Sequence, residues 1–201
     1  GAVFDLVTGT PPYFPPGTGV EKTYDATIEF NSNQAFDYDR SDGITPGTID
    51  FETVAAHEIG HALGFFSDVD FADIVHNVFG EPYVFATPTT LDLFRFEDGT
   101  KSDPENLTDF GSFERSFQTG VPANTDLIIS GPAGTPEKKM STGSLGPDGD
   151  GNQASHWKDD VLSLFNIGLM DPTLSRGQTY YITESDLAAM DIIGWDAAVP
   201  E

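Results

Sequence analysis

Apolar positions along the chain change their period from segment to segment. TYDATIEFNS, at 23–32, sets β-branched and aromatic residues in rough alternation, which predicts a strand. It follows a Pro/Gly-rich lead-in over 1–22 that is expected to wrap the surface, and it precedes a turn-rich stretch, DYDRSDGITPGT. IDFETVAAHEIGHALGFF, at 49–66, then reads as a helix. Asp50 stands as its N-cap, Glu52 lies at the positive end of its dipole, and Ala55, Ile59, Ala62 and Phe66 form an expected buried stripe, with His57, His61 and Gly64 on another face. From 67 to about 155 no long helical period is visible; TLDLFRF and DLIIS are short strand candidates in an irregular, partly β segment. TESDLAAMDIIGW closes the pattern. Thr183-x-x-Asp186 resembles a capping box, Leu187, Met190 and Ile193 give a helical stripe, and Gly194 is placed as the stop. Helical and strand-like segments therefore predict an α+β fold, and the absence of repeats or a Ser/Gly linker predicts one domain over 1–201.

Charge narrows the partners. Nine basic against thirty-three acidic residues leave a formal charge of −24 over 201 residues, which repels phosphate backbones and anionic membranes. Nucleic acid is excluded as a partner, and the acidity suits solubility in a salty, calcium-containing medium. No apolar run approaches a bilayer span, and the first residues lack the basic start and apolar core of a signal segment, so any such segment is expected to be already removed. With no cysteine, disulfides, thiolate ligands and a cysteine nucleophile are excluded within the chain.

Candidate chemistry centres on His57-Glu58-x-x-His61. Residues at i and i+4 stand one above the other on a helix, about 6 Å apart along the axis, so two imidazoles there converge on one tetrahedral ion. The carboxylate of Glu58 projects beside them, able to act on water without ligating the metal. A catalytic zinc takes three protein ligands and leaves the fourth position to water. Spacing leaves several candidates for the third. Ser67 occupies the position three residues after Gly64 but is a poor zinc ligand, and Asp68 misses that position by one. Glu81 lies twenty residues beyond His61 between Gly80 and Pro82, a poor setting for a ligand within a helix; His76 falls on a possible short helix, and His156 stands in QASHWKDD.

Taken together, His57-Glu58-x-x-His61-x-x-Gly64-Phe65, Ser155-His156-Trp157 and Leu169-Met170-Asp171-Pro172 resemble, in order and in local wording, the leishmanolysin-type metzincins. The resemblance covers about a third of the chain. It implies a metzincin-like catalytic domain, with an N-terminal lobe (1–66) carrying a twisted sheet and the active-site helix, and an irregular C-terminal lobe (67–201) with a closing helix. It also implies His156 as the third zinc ligand, Met170 as an apolar floor beneath the metal, Gly64 as the end of the helix, and residues 171–174 as a wall of the specificity pocket. The lack of cysteine departs from the disulfide-bonded eukaryotic members and points to a bacterial-type branch.

Function follows as an expectation: a secreted, monomeric zinc endopeptidase acting on peptides or proteins, with Glu58 as general base and Tyr180 or Tyr181 as a candidate oxyanion donor. ATIEF is a candidate edge for an extended substrate. An exopeptidase or amidase, or a non-catalytic adhesive module retaining zinc, are the rival readings. A second, weaker metal signal lies in DGDGN, where Asp148, Asp150 and Asn152 alternate as in a calcium loop and Asp159 occupies its twelfth position.

Overall fold

A computed structural model describes residues 26–77, 79–80, 88–97, 107–112, 116, 127–129, 138–144 and 149–196. The lead-in over 1–22, Glu81 and Asp148 lie outside the described residues.

Helices and small sheets mix, as the segment pattern predicts. Strand β1 (Phe36–Asp37) pairs in parallel with β2 (Ile49–Asp50), and β2 runs straight into helix α1 (Phe51–Ala62). Asp50 ends the strand and caps the helix. Its carboxylate accepts from the Thr53 amide at 3.3 Å and the Thr53 hydroxyl at 2.5 Å, and it pairs with Arg40, whose Nε also lies 3.1 Å from Glu52. Phe30, Phe36 and Tyr38 pack their rings around Phe51, with centroids 4.8–5.4 Å from it, fixing the direction in which α1 leaves the sheet.

α1 stops at Ala62, four residues short of the apolar run that predicted it. Gly64 adopts φ +109°, its amide bonds the His61 carbonyl at 3.0 Å, and the Phe65 amide bonds the Gly60 carbonyl at 3.0 Å, a Schellman ending that an L side chain at 64 would strain. The expected stripe is displaced as well. Thr53, Val54, His57 and Gly60 are buried, whereas Ile59 is 48% exposed and Ala62 is also exposed. Packing against the downstream chain, rather than the most apolar face, sets the orientation of the helix.

ATIEF carries no strand, and the described part of 23–32 pairs with nothing as a ladder; alternation is a weak signal where no partner edge is present. The candidate edge for substrate is therefore not at this position. Within the segment read as irregular, α2 (Val69–Asn77) is a helix that carries His76 in its last turn, where a short helix was expected, and it begins well before that residue. TLDLFRF divides into a 3-10 turn at Leu91–Phe94 and strand β3 (Arg95–Glu97). β3 pairs antiparallel with β4 (Leu127–Ile129), the centre of DLIIS, and β4 pairs with β5 (Lys138–Met140). Two short helices, α3 (Leu107–Ser112) and α4 (Asp160–Ser163), precede the closing helix α5 (Glu184–Ile192).

The capping box of α5 is present in full: Thr183 accepts from the Asp186 amide, and the Asp186 side chain accepts from the Thr183 amide. Ser185, Asp186 and Ala189 are buried, and of the expected stripe Met190 and Ile193 pack against the main core while Leu187 is 46% exposed. Gly194 at φ +109° ends α5, and the indole N–H of Trp195 donates to the Leu63 carbonyl at 2.7 Å, tying the end of α5 to the end of α1. One core collects Phe65, Leu91, Met140, Trp157, Ile167, Met170 and Ala189; a second, smaller one holds Ile49, Val54 and Leu174 beneath the start of α1.

Asp50→Ala removes the cap of α1 and the buried partner of Arg40 together. It is expected to lower unfolding free energy by about 2–4 kcal/mol, read from the shift of the urea midpoint at unchanged slope.

Candidate metal centre

Three imidazoles meet at one point. The Nε2 atoms of His57 and His61 are 3.1 Å apart, those of His57 and His156 3.2 Å, and those of His61 and His156 3.3 Å. Each ring has its other nitrogen against a backbone carbonyl: His57 Nδ1 at 2.9 Å from Leu169 O, His61 Nδ1 at 2.7 Å from Phe65 O, and His156 Nδ1 at 3.2 Å from Gln153 O. A carbonyl can only accept, so each Nδ1 carries the proton and each neutral ring turns the lone pair of Nε2 inward. Burial lowers the pKa of all three, to about 3 at His61, with the neighbouring histidines adding to the effect at His61 and His156. The rings are thus held neutral, as metal binding requires. Tetrahedral coordination at about 2.0–2.1 Å places ligand nitrogens about 3.3 Å apart, so the donor set and spacing suit zinc.

Local structure explains each placement. His57 and His61 stand one turn apart on α1, and the carbonyl that holds His61 is that of Phe65, the residue just beyond the helix stop. His156 sits at a bend just before Trp157, which bridges β5 and the 168–171 turn: the Trp157 amide bonds the Met170 carbonyl at 2.9 Å, and the Lys158 amide bonds the Lys139 carbonyl at 2.9 Å. Ser155 fastens it to the chain leaving α1, its hydroxyl accepting from the Ser67 amide at 3.0 Å. Met170 is 1% exposed and lies under the helix. A Cβ on Gly60 would stand 2.5 Å from its sulfur, so the glycine between the two helical histidines lets the thioether approach the backbone.

Glu58 is half-buried beside His57, and burial raises its carboxyl pKa to about 7. A small cleft beside His57 is lined by Val54, Leu169, Asp171, Thr173, Leu174 and Tyr180. Asp171, Thr173 and Leu174, from the stretch expected to wall a specificity pocket, are among its lining residues.

Among the described residues, no other candidate ligand joins the histidine group. Ser67 donates to Asp92 at 2.6 Å, and the Asp68 amide donates to the same carboxylate at 3.1 Å. His76 is exposed on α2. The Tyr180 hydroxyl donates to Asp160 at 3.2 Å, and the ring of Tyr181 lies 5.3 Å from the Arg40 guanidinium. In the expected calcium loop, the Asp150 carboxylate accepts from the Thr142 and Asn152 amides at 3.0 and 3.2 Å and lies 3.9 Å from Lys158. Asp159 turns away from that loop, accepting from Thr173 at 3.1 Å. It joins Asp160 and Asp171 in a group whose oxygens lie within 4.8 Å of one another, an arrangement that sequence spacing did not suggest.

A family model described as matrixin matches residues 11–85. The matched stretch includes His57, Glu58, His61 and Gly64 and ends before His156 and Met170; it supports a metzincin-type, zinc-using metallopeptidase. No curated protein and no solved structure is matched by this chain.

Asp171 supplies a pH dependence separate from the histidines. Burial first, and the nearby Asp160 and Asp159 after it, raise its pKa from 3.8 to about 7. The folded chain then binds a proton that the unfolded chain releases, so this contribution to stability is full at low pH and is lost as pH rises from about 4 to about 7. Thermal melts of metal-free Asp171→Asn across that window are expected to show a smaller loss on raising the pH than the parent.

Proposed function

We propose that the chain is a zinc-dependent endopeptidase of the leishmanolysin-like type, with His57, His61 and His156 as ligands and Glu58 as general base. The observation that carries this reading is the convergence of three inward-facing Nε2 atoms, all within 3.3 Å of one another, with a half-buried carboxyl next to the first. When bound, zinc supplies Lewis acidity that acidifies water and polarises a carbonyl. The protein does the rest. Glu58, drawn toward the neutral form by burial, is suited to take a proton from the attacking water and to return it to the leaving amine nitrogen. A small cleft of about 10 Å³ lined by Leu169, Thr173 and Leu174 adjoins His57.

A structural zinc site is usually closed by a fourth protein ligand and needs no base beside it; among the described residues the metal-competent group around His57 holds three members. That favours catalysis over an adhesive module. Calcium is left out of the proposal because Asp150 gives its carboxylate to two amides and Lys158. Secretion and a monomeric state are part of it. The −24 charge suits a dispersed protein in a salty medium, and no described helix is long and apolar enough to cross a membrane.

Glu58→Gln is expected to retain zinc at one equivalent while its kcat on an end-blocked, internally quenched peptide falls at least about a thousandfold. Full turnover in this variant would remove Glu58 from its role, and cleavage confined to peptides with free ends would favour an exopeptidase. His156→Ala is expected to lose zinc affinity where Glu81→Ala does not, measured by competition with a chromophoric chelator. The reverse result would move the third ligand to Glu81.

A further inference from the structure

The side chain of Asp186 is 4% exposed and surrounded by donors. One oxygen accepts from the Trp157 indole N–H at 2.7 Å and from the Met170 amide at 3.4 Å; the other accepts from the Leu169 amide at 2.8 Å, the Thr183 amide at 2.7 Å and the Thr183 hydroxyl at 2.9 Å. Gly168 makes room for it, since a Cβ there would stand 2.5–2.7 Å from the carboxylate atoms. These bonds go beyond those of a helix cap. The Met170 N–H and the Leu169 C=O belong to one peptide group, gripped at its N–H by Asp186 and offering its oxygen to His57 Nδ1 at 2.9 Å. Trp157, held at its indole by the same carboxylate and at its amide by the Met170 carbonyl, directly follows His156.

We propose that Asp186 is a positioning residue for the metal centre, orienting His57 through the Leu169–Met170 peptide and His156 through Trp157. The proposal rests on the reading of these histidines as zinc ligands. A carboxylate behind the peptide polarises the Leu169 carbonyl, strengthens its bond to Nδ1–H and so raises the donor strength of Nε2. The same anion sets the separation between the helical ligand and the distant one. In Asn an amide NH2 would face these N–H donors, so Asp186→Asn breaks the arrangement at nearly constant volume.

The test compares zinc dissociation constants and the visible spectra of the cobalt-substituted forms for the parent and three variants, each checked for fold by circular dichroism. Asp186→Asn is expected to bind zinc about 10–100-fold more weakly, with shifted cobalt bands. Trp157→Phe, which keeps an aromatic ring against Phe65 but removes the indole donor, is expected to lose about 3–10-fold. Thr183→Ala, which removes the cap and the hydroxyl's bond to the Ile167 carbonyl but leaves Asp186 its bonds from Trp157, Leu169 and Met170, is expected to lower the melting temperature and to leave zinc affinity within about threefold of the parent. A folded Asp186→Asn with parental affinity and spectrum overturns the proposal. So does a loss in Thr183→Ala equal to that in Asp186→Asn, which would assign the effect to the helix cap. If Asp186→Asn does not fold, Trp157→Phe decides: parental affinity and bands overturn the proposal, and the expected loss sustains it. A parent that takes up no zinc overturns the metal reading together with this one, whereas a parent that binds zinc and cuts no peptide overturns only the peptidase reading.

Discussion

Three neutral ring nitrogens held within 3.3 Å of one another, across 99 residues of chain between the first and the last, form an arrangement that must be imposed by its surroundings. Their lone pairs face inward and repel, and no hydrogen bond of suitable polarity joins them, because each ring has given its proton to a backbone carbonyl on the outer side. The molecule supplies the constraint through backbone. Leu169, Phe65 and Gln153 come from three separate stretches of chain, and each carbonyl fixes one ring. A cation at the centre turns the mutual repulsion into shared attraction, which is why the geometry reads as a metal centre.

Precision at the site therefore depends on elements that never touch it. The Schellman ending at Gly64 determines where the Phe65 carbonyl stands, and the close contact between Gly60 and Met170 sets the height of α1 above the 168–171 turn. Asp186 and Trp195 join the start and the end of α5 to the same neighbourhood, the first through the Leu169 amide and the Trp157 indole, the second through the Leu63 carbonyl. α5 thus serves as a strut between the active helix and the segment bearing His156. Shifts of about 1 Å in such supports are enough to lose a metal site, since coordination tolerates only a few tenths of an ångström.

Buried charge is managed in the same economical way in the antiparallel sheet. Arg95 is fully buried, with its Nη groups bonded to the Ser116, Ser141 and Thr142 carbonyls. Burial draws its pKa down to about 10, while Asp92, Asp70, Asp150 and Asp73 favour its charged form. These acids also bind backbone: Asp70 accepts from the Ser144 and Ala154 amides, and Asp92 from the Asp68 and Thr89 amides. Part of the chain's acidity is therefore architectural, organising irregular backbone around one buried guanidinium and carrying the connection from β5 toward His156.

Much of this was legible in local sequence. The cap at Asp50, the stop at Gly64, the box at Thr183 and Asp186 and the stop at Gly194 all rest on bonds within four or five residues, and the structure makes each of them. The histidine pair needed only the pitch of a helix. What failed was orientation: Ile59 and Leu187 were expected inside and stand exposed, because the facing surface was taken by Met170 under α1 and by the donors around Asp186 under α5. The short helix expected around His76 starts earlier, at Val69, and the strand expected over 23–32 is absent from its described residues. Sequence by itself determined the chemical vocabulary: two imidazoles one turn apart with a carboxyl beside the first, a third imidazole far downstream, and a methionine turn. Only the tertiary structure decided that the third imidazole meets the pair, since that depends on long-range pairing of His156's segment with β5 and the 168–171 turn, and no local periodicity encodes a contact across 99 residues.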